Sequence, residues 1–231
     1  MGLYNEQSSI YQTQRVSYEQ ILNDKKVLSE YQKYVDREMA KDYSRHDMVH
    51  ILNVVSICEK ISKLLGLNER QIEDIKISAL LHDIAYGEQG KENHAENSYL
   101  WAREYLQDKG LSAESREQIL TAIKQHGKGT DTVYCRVLTF ADKLDVTKQR
   151  ILPEGLLFEG NRQYGSMEKI DFDIVDHKLK VHFMTNGKID LQELNEYYFT
   201  SKIHKAIFDL ARFFNLDCEI LLDNTKWGLN E

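Results

Sequence analysis

The stretch SALLHDIAYG, residues 78–87, sets the apolar run Ala79-Leu80-Leu81 directly against His82 and Asp83. A segment this apolar belongs inside a fold, yet burying an imidazole or a carboxylate without a partner costs several kcal/mol. Any fold open to this chain must therefore bring compensating groups from elsewhere to this one point.

The rest of the chain reads as helices that could deliver them. There is one proline, Pro153, and glycines are sparse before residue 87. The spacing of apolar residues predicts a polar amphipathic helix over 17–41, with Ile21, Val27 or Leu28, Tyr31 and Val35 on one stripe. Further helices are expected over 47–65, capped by Gly66, over 69–86, stopped by Gly87, and over 94–108, 112–126 and 132–149. The texture changes after Pro153. An irregular connection leads to KIDFDIVDHKLKVHFMTNG, which alternates apolar and polar residues on both sides of Asp176-His177. That is a hairpin pattern, with Ile170, Phe172, Ile174, Leu179, Val181 and Phe183 facing inward. Two helices near 190–200 and 202–214 follow, then a short apolar stretch, Cys218 to Leu222, that suits a third strand. The expected architecture is mainly α: a helical bundle with a small C-terminal α+β part containing a β-hairpin. It divides into an N-terminal helical segment (1–43), a central domain (44–152) and a C-terminal α+β extension (153–231) packed on it.

Composition narrows the function classes. At 231 residues the chain can bury one sizeable core, and 42% apolar with 29% charged residues is ordinary for a globular protein. A net charge of −7 argues against a partner made of nucleic acid polymer, while leaving room for small anions at a local cationic site. No apolar run approaches the roughly 18 residues of a membrane span, and the first residues lack a secretory pattern. Met1-Gly2 hints at myristoylation, but Glu6 stands where that signal wants Ser or Thr. Cys58, Cys135 and Cys218 are far apart and odd in number, which fits reduced packing residues. A cytoplasmic protein that acts on a small molecule, without membrane attachment and with homo-oligomerisation possible, is the expectation.

Three inward faces then answer the opening problem. His50 shares a helical face with Val54, Ile57 and Ile61, and His82 shares one with Ile75, Ser78 and Ala79. Asp83 follows about 100° further round its helix. Asp142 lies in LTFADKLD, one turn after Leu138. Alone, Asp83 and Asp142 would be buried charges. A divalent cation shared between them removes that cost for both. Two imidazoles and two carboxylates suit Mn²⁺, Fe²⁺, Co²⁺ or Ni²⁺, with Mg²⁺ admissible.

His50, the doublet in ALLHDIA and Asp142 in ADKLD together resemble the H…HD…D signature of the HD-domain metal-dependent phosphohydrolase superfamily, over about residues 44–150. HDMVHILNVVSICEKISKLLGL resembles that family's first ligand helix. The resemblance makes His50 the ligand there and leaves His46 at the surface or behind the ligands. In a subset of the family, including HD-GYP phosphodiesterases and symmetric diadenosine tetraphosphate hydrolases, histidines placed like His94 and His126 complete a second metal site. The plainer reading is a polar helix-start residue and a C-terminal cation on the helix dipole. If both are ligands, one or two ions bind per chain and Asp83 bridges them, a geometry that clamps a phosphate and its attacking water.

Asp83 and Lys143 are thus the expected catalytic residues. Lys128, Lys143 and Arg150, with Lys148 nearby, are the candidate phosphate contacts. The resemblance implies hydrolysis of a phosphate ester, most plainly a nucleotide, by metal-activated water. The alternative is a non-catalytic module of the same family that binds metal and nucleotide as a sensor.

Overall fold

A computed structural model describes residues 14–37, 39–89, 92–128 and 131–228. The Met1-Gly2 signal considered above lies outside them. Ser17 caps α1 (Tyr18–Leu22) through a capping box with Gln20. The single helix expected over 17–41 is broken in two. Asp24 accepts the Lys26 N–H and so starts α2 (Lys25–Arg37), and a separate 3-10 turn covers Met39–Lys41. The buried stripe of α2 is Val27, Tyr31 and Tyr34, while Leu28 and Val35 are exposed. At 100° per residue Tyr34 lies closer than Val35 to the face of Val27 and Tyr31, so Tyr34 takes the buried place expected for Val35.

Asp47 caps α3 (Met48–Leu64) by accepting the N–H groups of Val49 and His50. Its buried face carries His50, Ile51, Val54, Val55, Cys58 and Ile61, and Gly66 at φ 71° ends the turn. Asn68 and Gln71 form a capping box on α4 (Glu69–Leu81). This helix stops five residues short of the expected 86. His82 is its C-cap, a turn carries 82–85, and α5 (Tyr86–Gln89) begins afresh. The doublet therefore sits where the helix opens, and Asp83 points away from the ladder of backbone hydrogen bonds. Next come α6 (His94–Tyr105), α7 (Ala113–Gln125) and α8 (Val133–Leu144). Helix α8 packs against α3, α4 and α7, and its buried face includes Val137, Leu138, Phe140 and Ala141. Cys58 and Cys135 are buried free thiols and Cys218 is half-buried and free.

The C-terminal third is built on α8. A short helix, α9 (Pro153–Leu156), and a 3-10 segment (Asn161–Ser166) occupy the stretch read as irregular. The hairpin is present as β1 (Met167–Val175) and β2 (Lys178–Thr185), antiparallel, turning at Asp176 and His177, both at positive φ. Phe172, Leu179, Val181 and Phe183 are buried, with Ile170 and Ile174 half-buried beside them. The chain crosses over through α10 (Leu191–Glu196) and α11 (Tyr198–Phe213). It returns as β3 (Asp217–Leu222), parallel to β2, and ends on β4 (Thr225–Lys226), giving the order β1-β2-β3-β4. Helix α11 lies along α8, and Phe140 of α8 meets Phe172 of β1 edge-on at 5.4 Å, so one apolar core runs through both parts. Among the described residues no helix is long and apolar enough to cross a membrane.

His204 of α11 is buried edge-on against Trp227 at 4.5 Å, and its Nε2 has no hydrogen-bond partner among the described residues. Burial pushes its pKa from 6.5 down to about 4. A folded-state pKa below the unfolded one means that neutral His204 contributes stability above pH 6.5, and this is lost as pH falls toward 4. His204→Leu should therefore show a shallower loss of stability across that window in denaturant melts at stepped pH. An unchanged slope would mean that His204 plays no part in it.

Candidate metal centre

Each histidine here is placed by what its Nδ1 does. The Nδ1–H of His82 donates to the Ala79 carbonyl at 2.8 Å, and that of His126 to the Ile123 carbonyl at 2.6 Å, both at helix ends where those carbonyls lack helical partners. His50 Nδ1 donates to Asp145 Oδ2 at 2.7 Å. Asn53 steadies that carboxylate through Oδ1 at 3.1 Å. With Nδ1 protonated, each ring turns an Nε2 lone pair inward, which is how metal-binding imidazoles are oriented. Burial pushes the pKa of His50 down to about 4, with Arg150 adding to it and Asp145 opposing. Burial, then His82, brings His126 down to about 4 as well. Both rings are neutral near pH 7 and able to act as ligands.

The inward atoms form two clusters joined by Asp83. On the inner side, His50 Nε2 lies 3.8 Å from Asp83 Oδ2 and 3.6 Å from Asp142 Oδ1. His82 Nε2 lies 3.4 Å and 3.8 Å from the same two oxygens. On the outer side, Asp83 Oδ1 is 3.7 Å from the Nε2 atoms of both His94 and His126, which are themselves 3.2 Å apart. All six side chains expected as ligands converge here, from α3, the turn after α4, the start of α6, the end of α7, and α8.

Burial alone would raise the Asp83 pKa. It is outweighed by His82, by a 2.7 Å hydrogen bond from His46 Nδ1, and by His94, which together hold the carboxyl well below its ordinary range. Asp142 is likewise held low, against its burial, chiefly by Lys143, whose Nζ lies 2.6 Å from Oδ2. Two buried carboxylates thus share a space with imidazole lone pairs. His50 Nε2, His82 Nε2 and Asp83 Oδ1 are buried and make no hydrogen bond among the described residues. Leaving such atoms unsatisfied is expensive, and a divalent cation satisfies all three at once. The donor set, nitrogen and carboxylate oxygen within a few ångströms, fits a borderline or hard divalent ion.

A cavity of about 260 Å³ opens over these groups. Arg150 lines it and is nearly buried. Its Nη1 makes no hydrogen bond and lies 3.9 Å from Asp145 Oδ2. The segment 43–45 is stitched to 150–152 by the Ser44–Ile151 bridge and by the Arg45 N–H donating to the Arg150 carbonyl, so Arg150 is fixed in place. Lys143 also lines the cavity. Lys128 does not: it is exposed and borders a neighbouring hollow past His126, because Gly127 at φ 80° turns the chain away. Lys148 pairs with Glu168 at the surface, away from the cavity.

Of the two places left open for His46, the structure takes the second: it stacks on Tyr86 at 3.8 Å and reaches Asp83 from behind the candidate ligands. Two features were not legible beforehand. Asp145 orients His50, and the only sequence signal for it was its place one turn after Asp142 in ADKLD. The cavity wall opposite the ligands is aromatic, formed by Tyr164, Tyr197, Tyr198 and Phe199 of the C-terminal part. The run Tyr197-Tyr198-Phe199 was visible as a sequence but not as a wall.

The HD domain family model matches residues 48–147, which include His50, His82, Asp83, His94, His126, Asp142 and Asp145. Residues 48–147 thus match the HD domain family. The chain is also similar to the crystal structure of a predicted HD superfamily hydrolase from an uncultured Thermotogales bacterium. The two share 24% identity over 52% of this chain and 67% of that one, with a TM-score of 0.44. No curated protein matches the chain significantly. The matched stretch holds the His/Asp groups that could hold a metal ion.

The hydrogen bond from His50 to Asp145 gives a direct test of the inner cluster. Asp145→Asn keeps the shape but loses the anionic acceptor, and should weaken divalent-ion affinity by about 10- to 100-fold. Competition with a calibrated chelator would measure it, with circular dichroism to check folding. Unaltered affinity in a folded variant would show that His50 needs no such partner.

Proposed function

We propose that the protein is a phosphohydrolase that uses one or two divalent ions to hydrolyse a phosphate ester of nucleotide type. The observation that carries this reading is the set of buried ligand atoms, His50 Nε2, His82 Nε2 and Asp83 Oδ1, that have no hydrogen-bond partner among the described residues and lie beside a cavity lined by Asp83, Asp142, His94 and His126. His50, His82, Asp83 and Asp142 would hold one ion, and Asp83, His94 and His126 a second. Bound there, Mn²⁺, Fe²⁺, Co²⁺, Ni²⁺ or Mg²⁺ supplies Lewis acidity that activates water and polarises phosphoryl oxygens.

The chain's own residues account for the rest of the chemistry. Asp83 presents one oxygen to each cluster and keeps them in fixed register. Arg150, fixed and with an uncommitted Nη1, offers a charge-assisted hydrogen bond to a phosphate oxygen. Lys143 neutralises the outward oxygen of Asp142 and stays within reach of the same anion. The rings of the aromatic wall are set at steep angles to one another, so each offers its own face on which a nucleobase can stack. The acidic net charge disfavours polymeric nucleic acid, and the three unpaired cysteines suit a cytoplasmic setting.

Elemental analysis of the purified full chain together with a panel of phosphate esters and nucleotides tests the proposal. Wild type should carry metal and turn over at least one ester. His82→Ala with Asp83→Ala should lose bound metal and activity together. Full activity in that double variant would overturn the reading. Tight, metal-dependent nucleotide binding without turnover across the panel would instead support a sensor.

A further inference from the structure

We infer that the site binds an anion longer than the scissile phosphate, with a second phosphate-sized group held past His94 and His126 by Lys202 and Lys128. This inference rests on the hydrolase reading for its chemistry but not for its binding test. A second hollow of about 590 Å³ adjoins the main cavity and shares His94, His126, Lys143 and Lys202 with it as common walls. Its charged lining is Lys128, Arg136, Lys143, Lys202 and Lys205 against Glu96 and Asp209. That excess of positive charge stands out in a chain whose net charge is −7.

The cations differ in how far they are already satisfied. Lys143 is bound to Asp142 at 2.6 Å, and Arg136 and Lys205 each reach Asp209 Oδ2 at 2.8 Å. Glu96 pairs with Lys124 at 3.1 Å. Lys202 and Lys128 have no carboxylate partner among the described residues. Lys202 sits on the seam between the two hollows, its Nζ over the Tyr198 ring at 4.9 Å. That ring positions the ammonium without neutralising it. Lys128 lies further out in the second hollow. Arg150, whose Nη1 makes no hydrogen bond among the described residues and stands 3.9 Å from Asp145 Oδ2, lines the main cavity, so cations lie on both sides of the ligand clusters. A monoester carrying a single phosphate leaves the outer cations unused. A diphosphate, an oligophosphate or a substrate with a second phosphoryl group uses both sides.

The test compares inorganic phosphate with pyrophosphate as inhibitors of p-nitrophenyl phosphate turnover, with divalent ion in excess over both. Wild type should bind pyrophosphate at least tenfold more tightly than phosphate. Lys202→Glu should shrink that preference at least fivefold, and Lys202→Arg should keep it, which a loss of folding would not do. Equal inhibition by the two anions in wild type, or a preference that survives Lys202→Glu, would overturn the inference. If no ester is turned over, calorimetry with the same two anions and variants decides the subsite separately: a retained pyrophosphate preference would sink the hydrolase reading alone.

Discussion

The Asp83 carboxylate is the group on which the arrangement depends. It is buried, ionised, and within 3.8 Å of five imidazoles, those of His46, His50, His82, His94 and His126. A lone carboxylate at that depth would be strongly destabilising, so the helices that carry its neighbours cannot drift apart without stranding a charge. Its position follows from a local event, the end of α4 at Leu81. Within a continuing helix, Asp83 would be tied to the face next to His82. Released by the turn over 82–85, it can send one oxygen toward His50 and His82 and the other toward His94 and His126.

Part of this was legible in the sequence because His50, Asp142 and the apolar run that leads into His82 belong to strongly periodic helices. His50 and His82 share faces with residues that are buried, so periodicity alone aims them inward. The hairpin was legible for the same reason, since alternation on both sides of Asp176-His177 admits few other folds. What escaped notice lay at helix ends, where the pattern stops carrying information. The break after Leu22, the early end of α4 and the turn that aims Asp145 at His50 are each set by capping and tertiary hydrogen bonds rather than by spacing. His46, in the loop before α3, was left between two places, and stacking on Tyr86 draws it in behind Asp83.

The C-terminal part could not be tied to the site from sequence, because the contact that matters is long-range. Helix α11 lies along α8, the same helix that carries Asp142 and Lys143. Gly155 has the backbone of 43–45 against it so closely that any Cβ there would collide with the Tyr43 carbonyl. These two contacts fix both rims of the cavity. The aromatic residues at the start of α11 therefore face the ligand clusters across a gap set by core packing rather than by a mobile loop.

That coupling explains how an apolar core and a charged centre coexist. Helix α8 buries Val137, Leu138, Phe140 and Ala141, yet carries Asp142 at its inner end. The carboxylate is tolerable there because each oxygen has a distinct neighbour: Lys143 at Oδ2, and the His50 and His82 rings at Oδ1. Lys143 in turn lies over Phe199 at 5.5 Å, which belongs to α11. The ion pair that makes Asp142 affordable is thus seated against the aromatic wall. A change in the C-terminal part that moved Phe199 would reach the Asp142 carboxylate through Lys143, without any substitution near the clustered histidines.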